Sequence, residues 1–452
     1  MTIFKDFNRE QGFLLPPSLN DWLPDDDLAH FVIAACERVS LSAFKVNRSN
    51  AGKPQYHPRM MLALLIYCYS NGIFSSRRIE RATHRDIGVR FVAADLHPDH
   101  DTIAAFRRGN GPAFEAAFLQ VLLMAKELKL LKLGIVSIDG TKIDASASKI
   151  RSVRYDRCQE LRKKLARDIA ELTAKAEAAD REDAPDPQAL PRDIARREAL
   201  KAKLDAACAR LEAEAAADHE AAKAEYIEKK AAYDAGTGRR GKPPSPPDDD
   251  DRLPPPDRQS NLTDPDSALM RKSKHHEYRQ SYNPQAVVDA EGPQLIVATN
   301  VAVTPTDQPT FAETILSMEA TVGLPDIVLA DAGFASESAV KALRDKGIEP
   351  LVAIAARPPD RPYDFRPPPK EPAREKNVRA EWRQDMKARL ETDDGKEKYR
   401  KRKQSVEPVF GIIKAVMGFR CFLLRGIDSV KAEWRLVALA YNCKRLAKLK
   451  AA

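Results

Sequence analysis

Apolar and polar positions along the first part of the chain alternate with the period of an α-helix. Between Tyr56 and Tyr69 the apolar residues recur at helical spacing, and Asn71-Gly72 ends this segment as a helix C-cap pair would. The polar segment SSRRIERATHRD follows, then IAAFRR with Asp101 or Thr102 as its expected N-cap, then an amphipathic segment over 112–131. The pattern predicts a helical domain over residues 1–132. Short helices joined by tight turns are equally compatible with DNA binding and with packing alone.

A different pattern begins at Gly134. Short β-branched apolar runs predict buried strands, and helical segments between them predict helices flanking a sheet. The predicted strands are 135–138, 285–289, 295–303, 327–330 and 349–354, the second and third forming a hairpin that turns at Glu291-Gly292. The predicted helices are 309–322, 337–346, 406–417 and 429–449. This order predicts an α/β domain with a mixed sheet, made of residues 133–150 and 281–452.

Two segments interrupt this domain. Residues 151–235 are rich in Ala, Glu, Lys, Arg and Leu, which predicts long surface helices in a hairpin broken at DAPDPQALP. Such a hairpin is either a dimer arm or, in our interpretation, a solvated insertion without chemistry. Residues 236–280 begin with GTGRRGKPPSPPDDDDRLPPP, which predicts an extended linker. The charged, Pro-rich residues 357–398 are also expected to be solvated and partly disordered.

Composition excludes several classes of protein. The six cysteines are scattered without a CxxC pair, so neither a disulfide framework nor a thiolate zinc site is expected. The eight histidines include His275-His276, but no third ligand stands at metal spacing, and we interpret all of them as structural or exposed. No apolar run approaches the roughly 20 residues of a membrane span, and MTIFKDFNRE lacks the apolar core of a signal peptide. These features predict a soluble protein of a reducing compartment, without a membrane partner.

Acidic residues stand at three informative places. Asp139 ends the first predicted strand, Asp331 ends a strand expected to lie beside it, and Glu407 begins the helix after the last strand. Ligands of α/β proteins gather beyond the carboxyl ends of strands. Carboxylates without His or Cys suit Mg²⁺ or Mn²⁺. Each acid alone is equally well explained as a turn or cap residue, and Pro408 favours a cap or kink at Glu407.

The surroundings of Glu407 are basic. Glu407, Gly411 and Lys414 fall at i, i+4 and i+7 on one helix face, where Gly411 leaves room for a nucleic-acid backbone. From Lys341 onward the chain has 28 Lys and Arg against 15 Asp and Glu, a net of +13 compared with +8 for the whole chain. This distribution favours contact with nucleic-acid phosphates, although solvated surface charge explains it equally well.

Three blocks around these acids, VSIDGTKI, VLADAGFAS and SVEPVFGIIKAVMGFRCFLLRG, resemble the catalytic blocks of DDE transposases from bacterial insertion sequences. The resemblance is to the subgroup with a Tyr-Arg-Glu-Lys signature. It extends through GKPQYHP, YSNGIFSSRRIE, PDHDTIAAFRR, NLTDPDSALM and SYNPQAVVDAEG, and leaves out the Ala- and Glu-rich insertion and the Pro-rich charged stretch. It implies a ribonuclease-H-like mixed-sheet catalytic core, a helical N-terminal DNA-binding domain and two divalent ions, Mg²⁺ with Mn²⁺ as a substitute.

The resemblance also assigns residues. It makes Asp139, Asp331 and Glu407 the catalytic metal ligands, and Lys414 matches the lysine of the signature. The signature's tyrosine and arginine should stand seven and four residues before Glu407, where the chain has Arg400 and Lys403; Tyr399 and Arg402 are each one residue early. Candidate DNA contacts are Lys142, Arg400, Arg402, Lys403 and Lys414, and in the N-terminal domain Arg77, Arg78, Arg81, Arg107 and Arg108.

The function implied is DNA transposition by phosphoryl transfer. Water would cleave at the ends of the element, and the freed 3′-hydroxyl would then attack target DNA. The expected partners are double-stranded DNA, both terminal inverted repeats and target, and a second copy of the chain on paired ends, in the bacterial cytoplasm. Two alternatives remain open: a ribonuclease-H-like nuclease that cuts without joining, and an inactive relic that only binds DNA.

Overall fold

The computed structural model describes residues 18–46, 54–179, 189–235, 243–271, 275–304, 306–354 and 380–451. It divides into two compact units. Unit 1 consists of Met1–Ile143 and Asn283–Ala452, and unit 2 of Asp144–Tyr282. The predicted boundary between residues 132 and 133 lies inside unit 1, and the division of that unit into an N-terminal and a catalytic domain remains a prediction. Among the described residues, no helix has the length and apolar character needed to cross a membrane.

Unit 1 begins with helices that follow the apolar pattern. They are α1 (Leu28–Glu37), α2 (Pro58–Ser70), α3 (Ser76–Arg85), α4 (Ile87–Val92), α5 (His100–Gly109) and α6 (Gly111–Glu127). The predicted end of α2 is confirmed, since Asn71 is its C-cap and Gly72 has a φ of +76°. The predicted cap of α5 was wrong: the helix begins earlier, and Asp99 accepts the hydrogen bond from the Thr102 backbone N–H at 2.7 Å.

The sheet is mixed, as predicted. Its strands in unit 1 are β1 (Ile135–Gly140), β6 (Arg279–Asp289, which begins in unit 2), β7 (Ile296–Ala302), β8 (Ile327–Ala330) and β9 (Glu349–Val352); a two-residue strand β2 (Ile143–Asp144) follows β1. Strand β6 pairs antiparallel with β7 on one side and β1 on the other, and β1, β8 and β9 run parallel to one another. The parallel strands bring the carboxyl ends of β1 and β8 to the same edge of the sheet.

Helices cover this sheet. They are α9 (Phe311–Leu316), α10 (Glu337–Asp345), α11 (Glu381–Glu391), α12 (Asp393–Gly411) and α13 (Ile427–Ala451). Helix α13 packs against α2, α6 and β7, so its buried face joins the N-terminal helices and the sheet in one core. At the centre of that face, the fully buried Trp434 donates its indole N–H to the Gln285 carbonyl at 2.8 Å.

Two predictions for this region need correction. In the charged stretch, residues 381–391 and 393–398 are helical, because α11 and the start of α12 bury Met386 and half-bury Tyr399 against the sheet; residues 355–379 lie outside the described part. Glu407 does not begin a helix. It lies inside α12, which contains Pro408 and continues as a π-helical turn over Ile412–Val416.

Unit 2 contains the predicted helical hairpin, formed by α7 (Tyr155–Ala179) and α8 (Ala189–Asp234). Its core includes Cys158, Leu165, Leu204 and Cys208, and the expected break lies mostly outside the described residues. Strands β3 (Ser152–Arg154) and β4 (Gln259–Asn261) pair antiparallel, and β5 (Ala268–Met270) pairs with the start of β6. The described part of the segment predicted as a linker therefore contains β4, β5 and the first residues of β6; its residues 236–242 and 272–274 lie outside the description.

Candidate active site

Asp139 and Asp331 lie side by side at one edge of the sheet. The parallel register of β1 and β8 pairs Ser137 with Leu329, and two further residues along each strand bring the chain to the two aspartates. Each carboxylate is held by a backbone N–H just after it. Asp139 Oδ1 accepts from the Gly140 N–H at 2.8 Å, and Asp331 Oδ1 accepts from the Gly333 N–H at 2.8 Å. The predicted placement of both acids at neighbouring strand ends is confirmed.

Crowding of these carboxylates changes the acidity of Asp139. Burial, and next the negative charge of Asp331, raise the pKa of Asp139 to about 6. The hydrogen bond from Gly140 and the positive charge of Arg402 act in the opposite direction but are weaker. Two partly buried carboxylates that share one site favour a proton or a cation between them.

Arg402 joins Glu407 to this pair. Its Nη1 donates to Asp139 Oδ2 at 3.3 Å, and its Nη2 donates to Glu407 Oε1 at 3.4 Å. The Arg402 side chain is 10% exposed, and its Nε is buried without a hydrogen-bond partner in the described part of the chain, whereas the Glu407 side chain is 50% exposed. The structure thus links Glu407 to Asp139 through one guanidinium.

Helix α12 explains why Arg402 reaches the site and its neighbours do not. Tyr399, Arg402, Val406 and Val409 follow one another at helical spacing on the face that packs against the sheet, and the Tyr399 hydroxyl donates to the Ala330 carbonyl at 3.0 Å. Arg400 and Lys403, which occupy the signature's positions by counting, are on the exposed face. The buried face, and not the residue count, decides which basic residue meets the acids.

Two lysines lie at the edge of the site. Lys414 lies in the π-helical turn, and its Nζ contacts the hydroxyl of Thr141, which follows β1. Lys142 is half-buried two residues after the end of β1. Gly411 is exposed, and no heavy atom lies within 4 Å of the position that a Cβ would take. The open surface between Glu407 and Lys414 agrees with the room expected there.

A third aspartate near the pair was not predicted. Asp307 stands five residues after the end of β7, and its Oδ1 accepts hydrogen bonds from Asn283 Nδ2 at 2.7 Å and Gln285 Nε2 at 3.0 Å. Its charge contributes to the raised pKa of Asp139. An acid following a strand is the same signal that marked Asp139 and Asp331. Here the intervening residues Val303 to Thr306 concealed it.

The donor set suits a hard divalent ion at Asp139 and Asp331. Their oxygens and their mutual repulsion fit Mg²⁺ or Mn²⁺. Within the described ranges, however, no three His, Cys, Asp or Glu side chains stand in metal-binding geometry. Glu407 is tied to Arg402, so it can join the two aspartates around an ion only after this ion pair opens.

The N-terminal basic residues divide into two groups. Arg77, Arg78, Arg81 and Arg108 are exposed. Arg107 is 5% exposed and donates to the Tyr69 hydroxyl at 3.1 Å and to the Phe74 carbonyl at 2.8 Å. The structure therefore removes Arg107 from the candidate phosphate contacts and makes it part of the core.

Comparison with known families gives two matches. A family model described as Transposase DDE domain matches residues 254–443, and one described as Transposase domain (DUF772) matches residues 17–109. Asp331 and Glu407 lie within the first match, whereas Asp139 lies between the two. No curated protein and no solved structure matches the chain. Residues 254–443 thus belong to the DDE transposase domain family and residues 17–109 to the second transposase domain family, and the two domains together are the typical architecture of bacterial insertion-sequence transposases.

Proposed function

We propose that this transposase cleaves DNA strands at the ends of its element and joins the freed 3′-hydroxyl to target DNA, with Asp139, Asp331 and Glu407 as the residues that hold divalent ions. Two observations carry the proposal: Asp139 and Asp331 lie together at the carboxyl ends of β1 and β8, and Arg402 joins Asp139 to Glu407. Transposition and DNA binding follow from the family itself.

DDE transposases need divalent metal ions, and we propose Mg²⁺, with Mn²⁺ as a substitute. Bound at such carboxylates, divalent ions activate the attacking oxygen and stabilise the leaving oxygen of a phosphodiester. Asp139 and Asp331 supply fixed oxygens, since a backbone N–H orients each of them. The half-exposed Glu407 is the mobile member of the set, and Arg402 neutralises it while no cation is bound.

Basic residues around the site supply contacts with DNA phosphates in this proposal. Arg400 and Lys403 project from the exposed face of α12, next to Glu407. Arg77, Arg78 and Arg81 are exposed on α3 and give a second basic surface for duplex DNA. By analogy with the family, two copies of the chain would act on paired ends.

The test is strand cleavage of a labelled duplex that carries one end of the element. The sequence of that end is taken from the DNA that flanks the coding sequence. D139N, D331N and E407Q should each abolish cleavage in Mg²⁺ and leave binding of the duplex, measured by gel shift, within about threefold of wild type, because base and phosphate contacts lie elsewhere. D326N is the matched control, since Asp326 is exposed at the opposite end of β8. Mg²⁺-dependent cleavage by all three variants would reject the site.

A second arm separates transposition from simple nuclease action. Wild-type protein is given a pre-cleaved end with a free 3′-hydroxyl and a supercoiled target plasmid. Joined product is expected. Cleavage of intact ends without any joined product would support a nuclease instead.

A further inference from the structure

The carboxylate of Asp307 fills the space between the two chain segments that follow Asp139 and Asp331. A Cβ built on Gly140 would lie 2.6 Å from Asp307 Oδ1, and one built on Gly333 would lie 3.3 Å from Asp307 Oδ2. The two glycines are therefore the places where the backbone approaches this carboxylate from both sides. Asp307 therefore lies against the residue one position after Asp139 and the residue two positions after Asp331, the two acids of the proposed ion site.

Side chains of β6 and the start of α9 hold Asp307 in a fixed orientation. Its Oδ1 accepts from both the Asn283 and the Gln285 amide groups. Gln285 is fixed in turn, because its Oε1 accepts from the Thr310 hydroxyl at 2.8 Å. Since both amide donors meet at Oδ1, Oδ2 is the oxygen that faces Gly333 and the Asp331 side. A network that fixes a carboxylate in this way is typical of residues that support a metal site from behind its ligands.

The negative charge of Asp307 also acts at the proposed ion site between Asp139 and Asp331. The carboxylate oxygens of Asp307 lie close to the backbone that follows both aspartates, so its negative charge adds to theirs at the proposed ion site. A third negative charge near two ligands strengthens the attraction for a divalent cation. The hydrogen-bond network holds the Asp307 carboxylate in place against repulsion by the other two acids.

We propose that Asp307 is a positioning residue of the divalent-ion site, which strengthens cation binding by its charge and fixes the backbone after Asp139 and Asp331. This inference rests on the proposed function, since it requires an ion between those two aspartates. It assigns Asp307 no contact with DNA and no direct bond to the ion.

The test is binding of Mn²⁺ alone to the full-length protein, without DNA, with free Mn²⁺ measured by electron paramagnetic resonance. D307N keeps the size of the side chain and an oxygen that can accept from both amides; it removes the negative charge and replaces Oδ2 with an amide NH₂ group. Its Mn²⁺ dissociation constant should rise about tenfold, at the lower end of the effect of supporting residues in metal sites. D326N should bind as wild type, and D331N should lose the site.

Thermal unfolding in EDTA separates positioning from a purely structural role. D307N should unfold at the wild-type temperature or above it, because its hydrogen bonds remain and a repulsion is removed. If D307N binds Mn²⁺ as wild type while D331N does not, the inference about Asp307 is wrong and the ion site stands. If D331N also binds Mn²⁺ as wild type, the ion site of the proposed function fails.

Discussion

Replacing Asp139 with Asn should stabilise the metal-free protein at neutral and alkaline pH, although it removes cleavage. Folding raises the pKa of Asp139 from 3.8 to about 6 through burial and the neighbouring Asp331. A shift of about two pH units corresponds to roughly 3 kcal/mol, since each unit is worth about 1.4 kcal/mol. The Asp139 side chain is only 20% exposed, so solvent screens this effect little.

The sign follows from proton binding. Because the folded state holds the Asp139 proton more tightly than the unfolded state, protonation favours folding, and the unfavourable effect of ionisation grows as the pH rises from 3.8 to about 6. Below this window wild type and D139N should have nearly the same free energy of unfolding. Above it D139N should be more stable, by up to about 3 kcal/mol at pH 8.

Urea unfolding in EDTA at pH 4, 6 and 8 measures this difference, with D326N as the control for loss of an exposed carboxylate. A D139N protein that is less stable than wild type at pH 8, or a difference that does not change with pH, would refute the reasoning. Adding Mg²⁺ gives a second check. At a hundredfold excess over its dissociation constant an ion stabilises wild type by about 2.7 kcal/mol, and D139N should gain much less.

Further predictions concern packing, the buried core and DNA binding. G140A should lower the free energy of unfolding by about 1–3 kcal/mol, because its Cβ would collide with side-chain oxygens at 2.6 and 2.8 Å. G411A, in a helix with open space around it, should raise that free energy by up to about 1 kcal/mol; urea unfolding checks both. Glu433 is fully buried and accepts from two backbone N–H groups, so E433A should cost about 3–5 kcal/mol in the same assay, and a loss below 1 kcal/mol would contradict its core role. R78A should reduce the slope of log affinity for duplex DNA against log salt by about 0.9, whereas R90A, whose arginine is paired with an aspartate, should leave it unchanged.

The sequence was sufficient to predict the acids at the strand ends. Short β-branched runs identified β1 and β8. An aspartate directly after a buried strand is expected at the rim of the sheet, because the carboxylate avoids the apolar interior. Composition alone also predicted the α7–α8 hairpin, because its residues favour helix and little else.

The role of Arg402 could not be predicted in the same way. It depends on where α12 begins, and the helix begins fourteen residues before Glu407, inside a segment whose charge concealed its apolar stripe. Only the packing of Tyr399 and Val406 against the sheet decides which arginine faces the acids. Propensity for disorder was overridden by this tertiary contact.

Asp307 was missed because its contacts are with residues that are distant in the sequence. Its amide partners are about twenty residues earlier in the chain, and the two glycines that it faces lie far apart in sequence, Gly140 at the end of β1 and Gly333 in the short helical turn after β8. No periodicity connects these positions. They meet only because β6 lies between β7 and β1 in the sheet.

The most direct measurement is the position of Mn²⁺ in crystals of the protein bound to a DNA end, located by anomalous scattering. We expect the anomalous signal between the carboxylates of Asp139 and Asp331, with Glu407 released from Arg402 and turned toward the ion. Manganese bound elsewhere, with Arg402 still joining Asp139 to Glu407, would contradict the proposed centre.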